Sequence, residues 1–399
     1  MEQVLYQLPG GWEWHKLEEV VEKTENLNPL KDANKLWTYI DISSIDRDQF
    51  AITDPKEILG KEAPSRAKKH IQKNDVIFAT TRPNLKNIAL VREEYSSPVA
   101  STGFCVLRTN EKVLSAYLFY FVTSDFLQDQ IEPFVSGASY PAITDGDLKK
   151  ASIPIPSVGE QERIVEKLDA LLTRINTAIE HLQESTALAD ALYASELSSV
   201  FSSGLDRWPL REFNDVAKVE RGKSKHRPRN DKLLFGGEYP FIQTGDVRNA
   251  QKYITTFSAT YNEKGLKQSR LWPKDTICLT IAANIGSVAI LGMDACFPDS
   301  VVGISSTELD TDYLYYFLTT LQQQLDSKAN AAAQKNINLK ILSDIKIPVP
   351  TLDVQKIIAR RFNEIDELAV KVKAEISEKI TLMQQLKSSI LDSAFKGKL

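Results

Sequence analysis

Two clusters of basic side chains carry most of the chemistry this chain advertises. Arg221 to Lys232 (RGKSKHRPRNDK) holds Arg221, Lys223, Lys225, Arg227, Arg229 and Lys232 against the single acid Asp231, and Lys56 to Lys73 holds Lys56, Lys61, Arg66, Lys68, Lys69 and Lys73 against Glu57 and Glu62. On a chain of net charge −4 and pI near 5.8, such local excess marks sites for a polyanion rather than a general coat of positive charge. The competing explanation is a solvated loop, and the surrounding elements decide between the two.

Nothing in the sequence offers bond-making chemistry. There is no GxxxxGK[ST] loop and no GxGxxG after a strand. Asn28-Pro29 lacks the second proline and the aromatic residue of an adenine-methyltransferase motif and reads as a turn. Cys105, Cys278 and Cys296 form no CxxC pair, and His15, His70, His181 and His226 form no HExxH arrangement. No catalytic residue, no metal and no cofactor is expected. At 42% hydrophobic and 26% charged residues the composition is that of a soluble globular protein. No apolar run approaches the ~18 residues of a membrane span, and the N-terminus shows no signal-peptide pattern. The expectation is a cytoplasmic protein without membrane contact.

The elements that position the clusters occur twice. Trp12 to Val20 recurs as Trp208 to Val216, Tyr117 to Phe121 (YLFYF) as Tyr313 to Phe317 (YLYYF), and Ile153 to Pro156 (IPIP) as Ile347 to Pro350 (IPVP). A repeat this long is a duplicated domain, since solenoid repeats run to about 20 to 50 residues. Val76 to Ala79, Ile88 to Val91 and Phe104 to Leu107 read as short strands bounded by turn residues. Asp75 to Thr80 returns as Asp275 to Thr280, and Ile88 to Val91 as Val288 to Leu291. The aromatic segment near Tyr117 reads as one amphipathic helix per copy.

After each IPxP segment the pattern becomes a heptad. Pro154 and Pro156 cannot sit inside a helix, and Ser157 with Glu160 fits a capping box opening a long helix. Its seam is Ile164, Leu168, Leu171, Ile175, Ala178, Leu182, Ser185, Ala189 and Leu192. The second seam runs Ile358, Phe362, Ile365, Ala369, Val372, Ile376, Lys379, Met383, Leu386 and Ile390, with Thr351 at the cap. The fold expected is α+β: two globular domains of mixed α and β structure, separated by two long antiparallel coiled-coil helices, with two-fold pseudo-symmetry from internal duplication. The boundaries are 1–157 for the first domain, 158–203 for the central helix, 204–351 for the second domain and 352–399 for the C-terminal helix. A helix of about 40 residues spans roughly 60 Å, against about 34 Å between successive major-groove half-sites.

The W-x7-V opening of each half, the IPIP and IPVP segments followed by QERI at Gln161 and QKII at Gln355, the long helices and the terminal Ile390 to Leu399 (ILDSAFKGKL) together resemble the specificity (S) subunit of type I restriction-modification systems, over the whole chain. The resemblance implies a non-catalytic subunit bound to double-stranded DNA. Each globular half would be a target recognition domain reading one half of a split site. The helices would set the gap and dock two methyltransferase (M) subunits, to which restriction (R) subunits add. The rival readings are a methyltransferase or nuclease, and a coiled-coil scaffold without sequence-specific DNA binding.

If DNA is the ligand, basic groups supply phosphate contacts while Arg, Asn and Gln read base edges. Loops at strand ends expose side chains on a rigid base. Arg82, Asn84 and Lys86 follow the Val76 strand, and Asn284 follows its counterpart. A second pair of loops before the IPxP segments presents Ser139 and Tyr140, against Gln334, Lys335 and Asn336. Arg221, Lys223, Lys225, Arg227 and Arg229 precede Gly236 and Gly237 and suggest a mobile basic loop in the second half, with Arg66, Lys68 and Lys69 doing similar work in the first.

Overall fold

The computed structural model describes residues 5–322, 342 and 345–399. The chain forms two compact units: Met1–Leu182 with Ser377–Leu399, and Gln183–Ile376. Neither unit is continuous with one repeat. Each takes its globular part and the head of the helix that follows from one repeat, and the tail of the long helix from the other.

In unit 1 the strands Val76–Ala79, Ile88–Leu90 and Phe104–Leu107 form an antiparallel sheet with Val76–Ala79 at its centre. Every residue of the three strands is buried, which explains why their sequences run apolar instead of alternating. A second sheet orders Lys56–Leu59, Leu36–Ile40, Pro98–Ser101 and Ala67–His70. The first strand, Glu13–Lys16, pairs with Ser152–Ile155, joining the opening of the repeat to its IPIP segment. Unit 2 repeats this plan. Its sheet of five places Ile277–Thr280 between Val301–Ser305 and Val288–Leu291, and Leu210–Glu212 pairs with Lys346–Pro348.

The aromatic helices, Ser115–Thr123 and Thr311–Thr320, differ from the sequence expectation. Tyr117 to Val122 and Tyr313 to Leu318 are buried without a break. They are core helices apolar on all sides, not amphipathic ones. The two ring hydroxyls find equivalent partners: Tyr117 donates to the Pro154 carbonyl at 2.8 Å and Tyr313 to the Pro348 carbonyl at 2.7 Å.

The long helices are Val158–Arg207 and Leu352–Phe395. Ser157 does receive the Glu160 N–H, at 3.4 Å, but the Glu160 carboxylate is held by both nitrogens of Arg163 at 2.8 Å. What locks each helix to its domain is the glutamine one residue further on. Gln161, fully buried, accepts from the Leu114 N–H at 2.9 Å and donates to the carbonyls of Lys112 at 2.9 Å and Pro156 at 3.1 Å. Gln355, equally buried, accepts from Asp310 N–H at 2.8 Å and donates to Pro350 at 3.0 Å.

Within each unit the two helix segments run antiparallel. In unit 1 Arg163 reaches the Leu399 carbonyl at 2.9 Å and Lys387 reaches Asn176 at 2.7 Å. In unit 2 Glu196 pairs with Arg361 at 2.5 Å, Asp190 pairs with Lys373, and the Tyr193 ring meets Phe362 edge-on at 6.1 Å. Ile164, Leu168, Leu172, Leu391, Ala394 and Phe395 enter the core of unit 1, and Leu197, Phe201, Ala359 and Phe362 that of unit 2.

The heptad seam drifts. Leu171, Ile175 and Leu182 are half-buried, as are Ile358, Ile365, Ile376, Met383 and Ile390. Leu192, Leu386 and Val372, however, are 72%, 50% and 39% exposed. An unsupercoiled helix falls behind a seven-residue repeat by about 20° per heptad, so over the four heptads from Ile164 to Leu192 the inward position moves by about 80°, nearly one residue. Tyr193 turns inward in place of Leu192, and Lys387 in place of Leu386.

Candidate nucleic-acid interface

In unit 1 five separate segments converge at one end of the central strand. Beyond Ala79, the Thr80 N–H and hydroxyl both reach the Gly103 carbonyl, at 2.9 and 3.1 Å. The next residues zip onto the Ser136 to Ile143 loop: Ile143 N–H donates to Thr80, Thr81 bridges Ala142, and Arg82 N–H donates to Pro141 at 2.6 Å. The two loops singled out in the sequence are thus one surface. Thr102 N–H donates to Arg66, and the Arg66 guanidinium holds Asp41 at 3.0 Å on the Ile42–Ser44 turn.

Arg82 sits in the left-handed region at φ +51, uncommon outside glycine and costly unless the surroundings enforce it. Its guanidinium lies 5.3 Å from the Tyr140 ring, which is 72% exposed. A cation over an aromatic face is held in orientation while its N–H fork stays open. Asn84 and Ser139 are exposed beside it.

Two of the side chains expected to meet phosphate are spent on the fold. Lys86 donates to the Thr123 carbonyl at 2.9 Å and to Asp125 at 2.6 Å, closing the end of the aromatic helix. Lys69, only 18% exposed, is paired with Asp145 at 2.7 Å. Both ammonium groups are paired where they stand, so a phosphate would have to displace Asp145 or Asp125 to reach them. Lys68, at a register shift in the same strand, is exposed.

In unit 2 the corresponding strand end is built differently. Ala283 and Asn284 are left-handed at φ +54 and +50. The Asn284 carbonyl accepts from the hydroxyls of Thr280 and Ser287, which fixes the loop. Its side-chain oxygen accepts from Arg248 Nη1 at 3.1 Å. The residue patterns alone do not single out Arg248. It is exposed, on the turn helix Thr244–Asn249. A signal exists in the repeat: Asp41 and Gln243 both open a reciprocal cap with φ −103 and ψ 170, after which unit 1 continues into the strand Ile45–Asp46 and unit 2 into the helix that carries Arg248.

The basic segment is held at several points. Arg227 Nη1 donates to the carbonyls of Ser224 and His226 at 2.6 and 2.8 Å. Arg229 pairs with Asp299 at 2.7 Å, and His226 with Asp231 at 2.8 Å. Hydrogen bonds, first from the Leu233 N–H and then from His226, hold the Asp231 carboxyl below its ordinary range. Gly222 is required by close approach, because a Cβ there would meet the Pro298 carbonyl at 2.3 Å. Arg221, Lys223 and Lys225 remain exposed, with no acidic partner among the described residues. Gln334, Lys335 and Asn336 lie outside the described residues.

The remaining chemistry is quiet. The three cysteines are buried, and burial pushes the Cys105 thiol up to about 12. Among the described residues no group of His, Cys, Asp and Glu could hold a metal ion, and no helix is long and apolar enough to cross a membrane.

Comparison with known proteins agrees with this two-part layout. The family model for the type I restriction modification DNA specificity domain matches twice, at residues 9–187 and 206–382. The Type I restriction enzyme EcoKI specificity subunit of Escherichia coli K12 is 21% identical across 98% of this chain and 90% of its own length. A solved chain from work on complex assembly and conformational transition of the type I R-M system superposes with a TM-score of 0.85 at 32% identity, covering 99% of this chain and 100% of that one. The HsdS subunit from Thermoanaerobacter tengcongensis gives 0.59 at 33% identity, covering 99% of each chain. With the specificity domain matched in both halves, the chain belongs to the type I restriction-modification specificity-subunit family.

Proposed function

We propose that this chain is the non-catalytic subunit that brings a type I restriction-modification complex to an asymmetric, bipartite DNA site in the cytoplasm. Residues 1–157 and 204–351 act as target recognition domains, and 158–203 and 352–399 as the spacer helices that set the gap. One observation carries the reading: the same buried strand ends twice in a polar surface, with Arg82 and Tyr140 at one end and Arg248 and Asn284 at the other. A repeated scaffold with unlike polar ends is what two different half-sites require.

The helices dock two methyltransferase subunits, and restriction subunits join through them. Exposed leucines that the fold does not use support this: Leu188, Leu192 and Leu368 in unit 2, and Leu382 and Leu386 in unit 1, are each at least 50% exposed. Large apolar side chains in groups on a soluble surface mark interaction sites.

The test is a genome-wide adenine-methylation map of cells with and without this gene. A split motif present only with the gene is the expected result. Unchanged methylation, together with a purified complex that binds random DNA without preference, would leave a scaffold as the role.

A further inference from the structure

We propose that Arg248 is the base-reading side chain of unit 2, that Asn284 positions it, and that the base it takes is guanine. The inference rests on the recognition role proposed above and assigns it to atoms. By residue type alone Asn284 would be the reader, since an asparagine recognises adenine by accepting from N6 and donating to N7. The structure turns its Oδ1 toward Arg248 Nη1 at 3.1 Å, which orients the amide along the arginine and makes the guanidinium the outer of the two groups. Turning the amide over would set two donors face to face, so the orientation is fixed by chemistry.

The guanidinium has the opposite property. Of its five N–H groups one is spent on Asn284, and the rest still present a two-pronged edge, the match for guanine O6 and N7. Arg248 is exposed and has no carboxylate partner among the described residues. Its base is rigid. The neighbouring Val247 is 1% exposed, and the Gln243 N–H donates to Asp246 at 2.8 Å to hold the turn. The peg is rigid as well, since the Asn284 backbone carbonyl is gripped by the hydroxyls of Thr280 and Ser287.

Unit 1 has no matching helix: after the same cap its chain forms the strand Ile45–Asp46, and Asp46 turns its Oδ1 onto the N–H groups of Asp48 and Gln49, at 2.9 and 3.0 Å. In sequence register Asp46 is the counterpart of Arg248, and a carboxylate cannot donate to guanine.

The experiment selects bound sequences from a randomised DNA pool, using the full chain in complex with its methyltransferase partner. Arg248→Lys keeps the charge and loses the fork. It is expected to lower discrimination for guanine at one position of one half-site by roughly ten- to a hundredfold, with the other half-site and the salt dependence unchanged. Asn284→Ala should weaken preference at that same position and no other. The assignment is overturned if Arg248→Lys leaves every preference intact, if the affected base is not guanine, or if the two variants act at different positions. A wild-type complex without any split-site preference would instead overturn the recognition role itself, and this assignment with it.

Discussion

The two units keep one scaffold and treat positive charge differently at the strand ends. In unit 1, Arg66, Lys69 and Lys86 each face a carboxylate, Asp41, Asp145 and Asp125, while Arg82 stands against an aromatic ring and Lys68 is exposed. In unit 2, Arg221, Lys223 and Lys225 stand exposed without such partners, and Arg248 leans on a neutral amide. Under the proposed DNA-recognition role, unit 2 would supply more of the phosphate contacts and unit 1 a few oriented groups. The difference teaches that affinity and selectivity need not be shared equally between repeats descended from one domain.

The largest effect that would break this contrast is on salt dependence. Replacing Arg221, Lys223 and Lys225 together by Ala should flatten the slope of log K against log salt by about 0.9 for each phosphate left without its cation, and at ~0.1 M salt should cost on the order of several hundredfold in affinity. Lys69→Ala and Lys86→Ala in unit 1 should leave the slope alone. Titrations of DNA binding at several salt concentrations decide, and equal slopes for both sets would erase the distinction.

A second prediction compares how the helices are anchored. Gln161→Leu removes three hydrogen bonds to the backbone and Gln355→Leu removes two, and each variant strands one buried carbonyl, that of Pro156 or Pro350. At about 1 kcal/mol for each lost bond, penalties of roughly 3 and 2 kcal/mol follow, with unit 1 the more damaged. Denaturant unfolding of each variant measures both. A third concerns selectivity: Arg82→Ala should cost about 1 to 3 kcal/mol of base discrimination in the half-site that Arg248→Lys leaves untouched. An effect of both variants on the same half-site would collapse the two-reader picture.

Much of the molecule is legible in residue patterns, and what escapes them has physical causes. The strands Val76–Ala79 and Ile277–Thr280 stand out because they are buried on both faces and bounded by polar turns. Lys69 and Lys86 look available in the sequence because the acids that neutralise them, Asp145 and Asp125, are 76 and 39 residues away along the chain. A heptad misplaces Leu192 because 3.6 residues per turn drifts from a seven-residue repeat, and by Leu192 the inward position has passed to Tyr193. Arg248 is inconspicuous as a single basic residue in a polar turn, and only its contact with Asn284, 36 residues on, draws it into the site. Gln161 and Gln355 are visible as part of a repeated string, but their role depends on the buried backbone groups around them.

The smallest effect separates the units by acid sensitivity. In unit 2, burial pushes the Asp312 carboxyl up, but hydrogen bonds from Asn363 and Lys252 outweigh it and leave the group below its ordinary range. Lys252 bridges this carboxylate at 2.9 Å while lying over the rings of Tyr253, Tyr315 and Tyr316. A carboxyl with a depressed folded-state pKa contributes stability above its unfolded value and loses it as pH falls through the folded one. Asp312→Asn should thus destabilise unit 2 at neutral pH by about 1 kcal/mol or less, and the penalty should shrink toward zero below the pH where Asp312 itself takes up a proton. Hydrogen exchange followed by peptide, at neutral and at acid pH, should show that destabilisation confined to unit 2. Ala116 stands at the matching position of unit 1 and has nothing to titrate, so a penalty spread evenly over both units, or one that grows as pH falls, would contradict the assignment of this ion pair.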